Sequence, residues 1–303
     1  MANTNGNWDI STITSYIDEN SFELISKAVL ETNLAQYMNV RVGLQGNNVD
    51  IPLLDTDFVV QDGAYCGWNT TGDTTITQVR MDIANAKINT TQCAQALRDT
   101  FISQSLASGA LRGGESLPFE ALLSDHFVKK LNKYNEEYIV QGKTIGGTTY
   151  SGLTSHLTAA QGTVSAATAT AWTDTTAVAA ANVMYTALPD TSAMADDLVL
   201  ILSPSNYRAL MLDIVRNNYY HIPPGQDVFI PGTNVRAVAS AGLVGDNKKY
   251  IGPASTLFLG TDLQSDFEQF KLWYSQDNDE MRALMRWRIG VAVSEPSLWA
   301  AEL

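Results

Sequence analysis

The chain has 303 residues, 45% of them hydrophobic, with 19 Lys and Arg against 32 Asp and Glu and a net charge of -13. That length admits one large domain or two, and that hydrophobic content supports a sizeable core. The acidic balance excludes tight direct binding of DNA or RNA and gives no attraction to anionic lipid.

No apolar run reaches about 18 residues, the length a membrane-spanning helix needs. The opening residues lack a cationic segment followed by an apolar run, so no secretory signal is expected. Asn69-Thr70-Thr71 and Asn89-Thr90-Thr91 match the glycosylation sequon but are moot without one. Cys66 and Cys93 show neither metal-ligand spacing nor a CxxC, and read as two free thiols in a reducing compartment.

Residues 1 to 10 are polar and form an arm. Asn20 with Glu23 resembles a capping box and opens a helix through about Met38. From Asn39 to Val60 the alternation of Val40, Val42 and Leu44, then of Val49, Ile51 and Leu53, predicts strands. Gln61 to Thr75, with Gly63, Gly67 and Gly72, has turn composition. Ile76 to Asn89 returns as a long strand in which Val79, Met81 and Ile83 alternate. The result is a long hairpin with a glycine-rich tip and little apolar surface on its return arm. Such a hairpin cannot stand alone in water, so it lies on its own domain or on a neighbouring chain.

A shorter helix is expected over Ala94 to Ala107, ended by Gly109, Gly113 and Gly114. The most informative segment follows. Phe119, Leu123, Phe127, Leu131, Tyr134 and Tyr138 step by three or four, which predicts one amphipathic helix over Leu117 to Gln141. Ser116 is placed as its N-cap, Pro118 sits in its first turn, and Gly142 is its stop. About twenty-five helical residues span roughly 37 Å, a girder rather than a carrier of catalytic groups. Thr158 to Asp174 is Ala/Thr-rich and reads as a loop or edge, and Asp174 is placed to cap a helix ending at Leu188-Pro189. Leu198 to Leu202 is a continuous apolar run, hence a buried strand. Ser203-Pro204 starts a helix to about Arg216. Strands are expected near Val228 to Ile230, Val235 to Ala239 and Thr256 to Leu259. Two long alternating strands follow, Phe270-Leu272-Tyr274 and Met281-Ala283-Met285-Trp287-Ile289. A last segment, Gly290 to Trp299, follows them.

Tests for chemistry return little. Gly142-Lys143-Thr144 has the ending of a phosphate-binding loop, but Glu137 stands where that loop needs glycine, and a helix precedes it instead of a strand. His126, His156 and His221 are scattered, and no HExxH or His/Cys pair could hold zinc. Asp277-Asn278-Asp279-Glu280 lacks the calcium-loop glycine and has Arg288 at the closing position, so it reads as a hairpin turn. Glu136 and Glu137 point about 100° apart on the helix and are no catalytic pair. No GxSxG is present. No catalytic, metal or cofactor site is assigned, and the chain is not expected to be an enzyme.

The order of elements is polar arm, extended hairpin, short helix, long helix, Gly-rich loop, mixed segment, two long strands and a closing segment. It resembles the major capsid protein of tailed bacteriophages, the Hong Kong 97-type fold shared with encapsulin shells. The residues that carry the resemblance are Leu117 to Gln141, Gly146-Gly147 with Gly152-Leu153, Leu198 to Ser203 with Pro204-Ser205-Asn206-Tyr207, and Arg286-Trp287-Arg288-Ile289-Gly290-Val291-Ala292-Val293. The resemblance implies an α+β fold with an N-arm (1–50) and an E-loop hairpin (51–90). A peripheral (P) domain (91–150 and 265–290) would hold the long spine helix, and an α/β axial (A) domain would take 151–264 and 291–303. The spine-helix core would be Phe119, Leu123, Phe127 and Leu131.

The resemblance implies hexamers and pentamers of the chain tiling an icosahedral shell around double-stranded DNA, without tight specific binding of it. The expected place is the virion capsid, assembled in the host cytoplasm, with no cofactor and no membrane. The expected partners are other copies of the chain, a portal protein, and possible separate scaffolding and decoration proteins. Only about twenty residues precede the first helix, which implies a separate scaffolding protein or none. Tyr65 and Trp68 at the hairpin tip, and Trp8 in the arm, are the candidate intersubunit contacts. A tip folded back on its own strands is the other reading. Lys87 and Lys143 lie in the regions where a covalent cross-link would form, though solvated lysines are the simpler reading. An encapsulin-type shell is the rival within the class, and a soluble acidic binding protein or enzyme is the rival outside it.

Overall fold

A computed structural model of the chain describes residues 32–44, 46, 48–56, 74–93, 119–145, 148–165, 171–217, 227–261, 269–275, 277–278 and 280–302. Two sheets and one long helix organise these residues. The strands of the first sheet are β1 (Asn39–Arg41), β2 (Asn48–Thr56), β3 (Thr74–Cys93), β11 (Leu257–Thr261), β12 (Gln269–Ser275) and β13 (Glu280–Val293), in the order β1-β11-β13-β3-β2 with β12 also paired to β13. The second sheet runs β6 (Val164–Ser165), β14 (Ala300–Glu302), β10 (Lys249–Pro253), β7 (Leu198–Leu202), β9 (Arg236–Ala239), β8 (Val228–Phe229). A two-stranded hairpin, β4 (Lys143–Ile145) with β5 (Thr148–Tyr150), follows the long helix.

The hairpin is antiparallel, as the alternating pattern predicts. β2 pairs with the first half of β3 from Asn48↔Asp82 to Thr56↔Thr74, and the second half of β3 pairs with β13 from Ile83↔Gly290 to Cys93↔Glu280. One twenty-residue strand therefore belongs to the hairpin at one end and to the body of the first sheet at the other. β12 and β13 form the expected second hairpin, closing at Ser275↔Glu280, so Asp277 and Asn278 lie in a turn.

The long helix, α1, runs Phe119–Gln141. Gly142 ends it with φ 69°, and its N–H donates to the Tyr138 carbonyl at 2.8 Å. A left-handed residue at that position closes a helix and strains any side chain but glycine's. Gly152 faces it so closely that a Cβ on either would strike the other's backbone, which folds the β4–β5 hairpin back on the helix end. The helix buries Leu131 and Tyr138, with Phe127, Val128 and Tyr134 half-buried, in one cluster with Ala84, Ala86, Met285, Trp287 and Ile289 of the first sheet, and Ile139 and Val140 join the same cluster. Tyr134 and Trp287 meet edge to face at 6.0 Å between ring centres. The side chains of Phe119 and Leu123 lie outside the described residues.

The remaining helices are α2 (Leu153–His156), α3 (Ala177–Thr186), α4 (Asp190–Ala193) and α5 (Pro204–Arg216). β7 is buried at all five positions, as its apolar run predicts, and crosses over through α5 to its parallel neighbour β9. The Ser203 side chain caps α5 by accepting from the Asn206 N–H, and Pro204 opens the helix. The cap expected from Asp174 is absent. α3 begins after Thr176, and Asp174 instead pairs with Arg216 at 3.1 Å. The acceptor at the start of α3 comes from another helix: Asp213 Oδ2 receives the Val178 N–H at 2.8 Å.

β10 and β14 are among the strands that the sequence pattern does not predict, as are β4, β5 and β6. β10 holds a proline and a buried lysine, and β14 is three residues long. They are joined by a register pair, Lys249↔Glu302, which is also an ion pair at 3.1 Å with both side chains nearly enclosed. Trp172 Nε1 donates to Glu302 at 3.2 Å and so satisfies the carboxylate further. The helix expected through Met38 is described only in its last turn, a 3-10 turn at Ala35–Tyr37, and the helix expected at Ala94 to Ala107 lies outside the described residues.

Candidate assembly surface

The hairpin is anchored at its base and open further out. Ile51 and Met81 are buried with Ala292, against Leu44, Val49, Val79 and Phe258 of the same chain. Three and five residues further along, Leu54 and Ile76 sit directly opposite each other in the ladder and are 70% and 69% exposed. A cross-strand apolar pair left in water is unfavourable in an isolated chain, since such pairs stabilise a sheet only when they are covered. A second apolar patch lies on the outward side of α5, where Leu212 and Val215 are 58% and 64% exposed.

The seam between α1 and the second sheet is polar. Gln141 Nε2 donates to the Gly242 carbonyl at 2.6 Å. Gly242 has no room for a side chain, because a Cβ there would stand 2.6 Å from the Glu136 carbonyl oxygen and 2.6 Å from the Val140 Cβ. Glu136 is buried at this seam. Burial pushes its carboxyl above the usual carboxylate range, while the Ala241 N–H and the Ser240 hydroxyl pull it part of the way back. Burial lowers the pKa of His156, opposed by a hydrogen bond to the Val291 backbone and by the charge of Asp82. Burial also raises the phenols of Tyr138 and Tyr250. Glu136, Tyr138 and Tyr250 are buried and His156 is half-buried. Among the described residues no group of three or more His, Cys, Asp and Glu side chains could hold a metal ion, and no helix is long and apolar enough to cross a membrane.

Of the candidate site residues, Leu131 is buried in the core between α1 and the first sheet and Phe127 packs at its edge. Tyr65, Trp68 and Trp8 lie outside the described residues. Lys143 stacks 3.9 Å over the Tyr134 ring and pairs with Glu137 at 3.2 Å, so it tethers the helix end. The helical period missed Asn135, Glu136 and Ile139. They are buried because α1 is covered on a second side by the 3-10 turn at Ala241–Leu243. Two small residues flanked by Ser240 and Leu243 are a weak sign of such a contact, and periodicity within the helix carries none of it.

No protein-family model matches the chain, and no curated protein matches it. Solved structures do. A structure from Gordonia phage Cozz aligns with a TM-score of 0.60 at 12% identity, covering 89% of this chain and 85% of that one. The satellite phage P4 procapsid aligns with a TM-score of 0.60 at 11% identity, over 92% and 89% of the two chains. A virus-like particle from Pyrococcus furiosus aligns with a TM-score of 0.54 at 12% identity, over 94% and 98%. At these identities the likeness is one of fold. The fold of this chain is the mixed helix-and-strand Hong Kong 97-type fold of phage capsid proteins.

Proposed function

We propose that the chain is the major capsid protein of a tailed phage, assembling into hexamers and pentamers that form an icosahedral head around double-stranded DNA. The observation that carries this reading is the hairpin. Its base is packed on its own chain, while Leu54 and Ile76, a cross-strand pair, stand exposed in a fold shared with shell-forming proteins. In this reading residues 1–50 are the N-arm, 51–90 the E-loop, 91–150 with 265–290 the peripheral domain around the spine helix, and 151–264 with 291–303 the axial domain. Trp68, Tyr65 and Trp8 anchor on neighbouring copies. The chain acts by self-association and not by catalysis. Its partners beyond its own copies are a portal protein and separate scaffolding or decoration proteins, and its place is the virion, assembled in the host cytoplasm.

An encapsulin-type shell is the second reading, favoured by the near end-to-end likeness to the virus-like particle. Electron microscopy of particles from expressing cells tests both. Closed shells are expected, and nuclease-protected genomic DNA with one portal-bearing vertex separates a phage head from a host shell. A chain that remains monomeric refutes both. Leu54→Asp with Ile76→Asp is expected to block shell formation and leave the subunit's unfolding midpoint unchanged. A matching loss of subunit stability would show that the pair is covered by its own chain.

A further inference from the structure

The 3-10 turn at Ala241–Leu243 carries the second sheet onto the last turns of α1. Ser240, wholly buried, hangs the turn from that sheet. Its N–H donates to the Leu202 carbonyl at 2.9 Å, and its Oγ accepts the Gly242 N–H at 3.2 Å. Gly242 lies against the helix backbone at Glu136, and its carbonyl takes Gln141 Nε2 at 2.6 Å. Val140 and Leu243, both buried, continue the seam into the core. Glu136, 6% exposed, is the ionisable group shut inside this contact. The Ala241 N–H and the Ser240 hydroxyl serve its carboxyl, yet Oε1 is buried with no hydrogen-bond partner among the described residues. The charged and titratable groups nearby are engaged elsewhere. On α1, Lys133 and Lys143 both pair with Glu137, at 4.0 and 3.2 Å, and Tyr138 feels the charge of Asp82. On the side of the second sheet, Asp246 pairs with Lys248 at 3.5 Å and its charge acts on Tyr250. Among the described residues no cation acts on the Glu136 carboxyl.

A carboxylate taken out of water without a cation is disfavoured, so a group placed in this way either keeps its proton or draws water to itself. We propose that the Glu136 carboxyl is a proton-operated latch between α1 and the second sheet: neutral, it lets the Ala241–Leu243 turn stay packed on the helix, and charged, it lifts the turn and admits water to the seam. Water at Oε1 then supplies the hydrogen bonds that the closed seam does not. Lifting the turn gives up the Gln141–Gly242 hydrogen bond and the contact of Gly242 with Val140. It leaves the strands paired, because the β7–β9 ladder ends at Leu202↔Ala239, before the turn begins. The opening is therefore local, and its direction is fixed: acid closes the seam and base loosens it. The inference concerns the single subunit and stands apart from the shell reading above.

The test is amide hydrogen exchange of the full chain, from about pH 4 to about pH 8, corrected for the intrinsic pH dependence of exchange. In the wild type, protection of the amides at 240–244 is expected to fall by up to about tenfold per pH unit, as release of one proton on opening requires. The fall begins near the ordinary carboxylate pKa and levels off at the upper end of the window. Protection of β7 should not follow it. Glu136→Gln keeps the shape of the side chain and removes the titration, so its protection at 240–244 is expected to be independent of pH. Ser240→Ala is a second probe that leaves Glu136 in place. It removes a donor that favours the charged form, and so should move the upper end of the window to higher pH. Flat protection in the wild type overturns the proposal, as does the same slope in Glu136→Gln or an unmoved upper end in Ser240→Ala. A fall shared equally by β7 also overturns it, because the carboxyl would then act on the whole fold and not on the seam.

Discussion

Replacing Trp287 by alanine probes the contact that joins the long helix to the first sheet. Trp287 is 2% exposed, sits in the middle of β13 and presents its ring edge-on to Tyr134 of α1. Truncating a buried tryptophan costs about 3–5 kcal/mol, transfer and cavity together. An edge-to-face aromatic pair contributes about 0.5–1.5 kcal/mol beyond its buried area. A total near 4 kcal/mol, at an m-value of about 3 kcal/mol/M for a chain of this size, moves the urea midpoint down by about 1.3 M. The assay is urea unfolding of the unassembled subunit followed at 222 nm. A double-mutant cycle with Tyr134→Leu and Trp287→Leu isolates the ring pair, and its coupling should fall in the same 0.5–1.5 kcal/mol range. Lys143 also stacks on Tyr134, so Lys143→Met serves as a control in both backgrounds. A Trp287→Ala cost below about 1 kcal/mol with no coupling would refute the packing of α1 on β13.

Asp213→Ala removes the acceptor of the Val178 N–H and of the Asn217 side chain in a buried setting, and should lower subunit stability by about 1–3 kcal/mol. Asp213→Asn keeps an acceptor oxygen and should lose less, as paired thermal melts will show. For Glu136 the folded carboxyl titrates above its ordinary value, so the folded state holds a proton that the unfolded state gives up more readily. The stability it contributes is complete below the ordinary carboxylate pKa and is lost as pH rises through the raised one. The stability of Glu136→Gln relative to wild type should therefore increase with pH across that window. Equal pH slopes for the two proteins would refute the assignment.

Much of the architecture is local and was legible in the sequence. The three-to-four spacing from Phe127 to Tyr138 specifies α1, the LVLIL run at 198–202 specifies the central strand of the second sheet, and Ser203-Pro204 specifies the start of α5. These features need only backbone periodicity and the chemistry of one turn. Gly142 was legible as a helix stop for the same reason, although the close approach of Gly152 that also demands it was not. The cap of α3 was misassigned because the acceptor, Asp213, lies 35 residues away and reaches Val178 only through helix packing. β10 and β14 were missed because each is short and shares a buried Lys249–Glu302 pair, whose polarity conceals both strands until they lie side by side. The same holds for the surfaces. Sequence fixes the net charge and the alternation of β3 and β13, but the concentration of cations on one sheet face depends on register. Shifting either strand by a single residue would exchange Lys87 or Arg286 for a buried neighbour such as Ala86 or Trp287. Sequence sets which residues can share a face, while the long-range pairing of strands separated by about two hundred residues decides which of them meet.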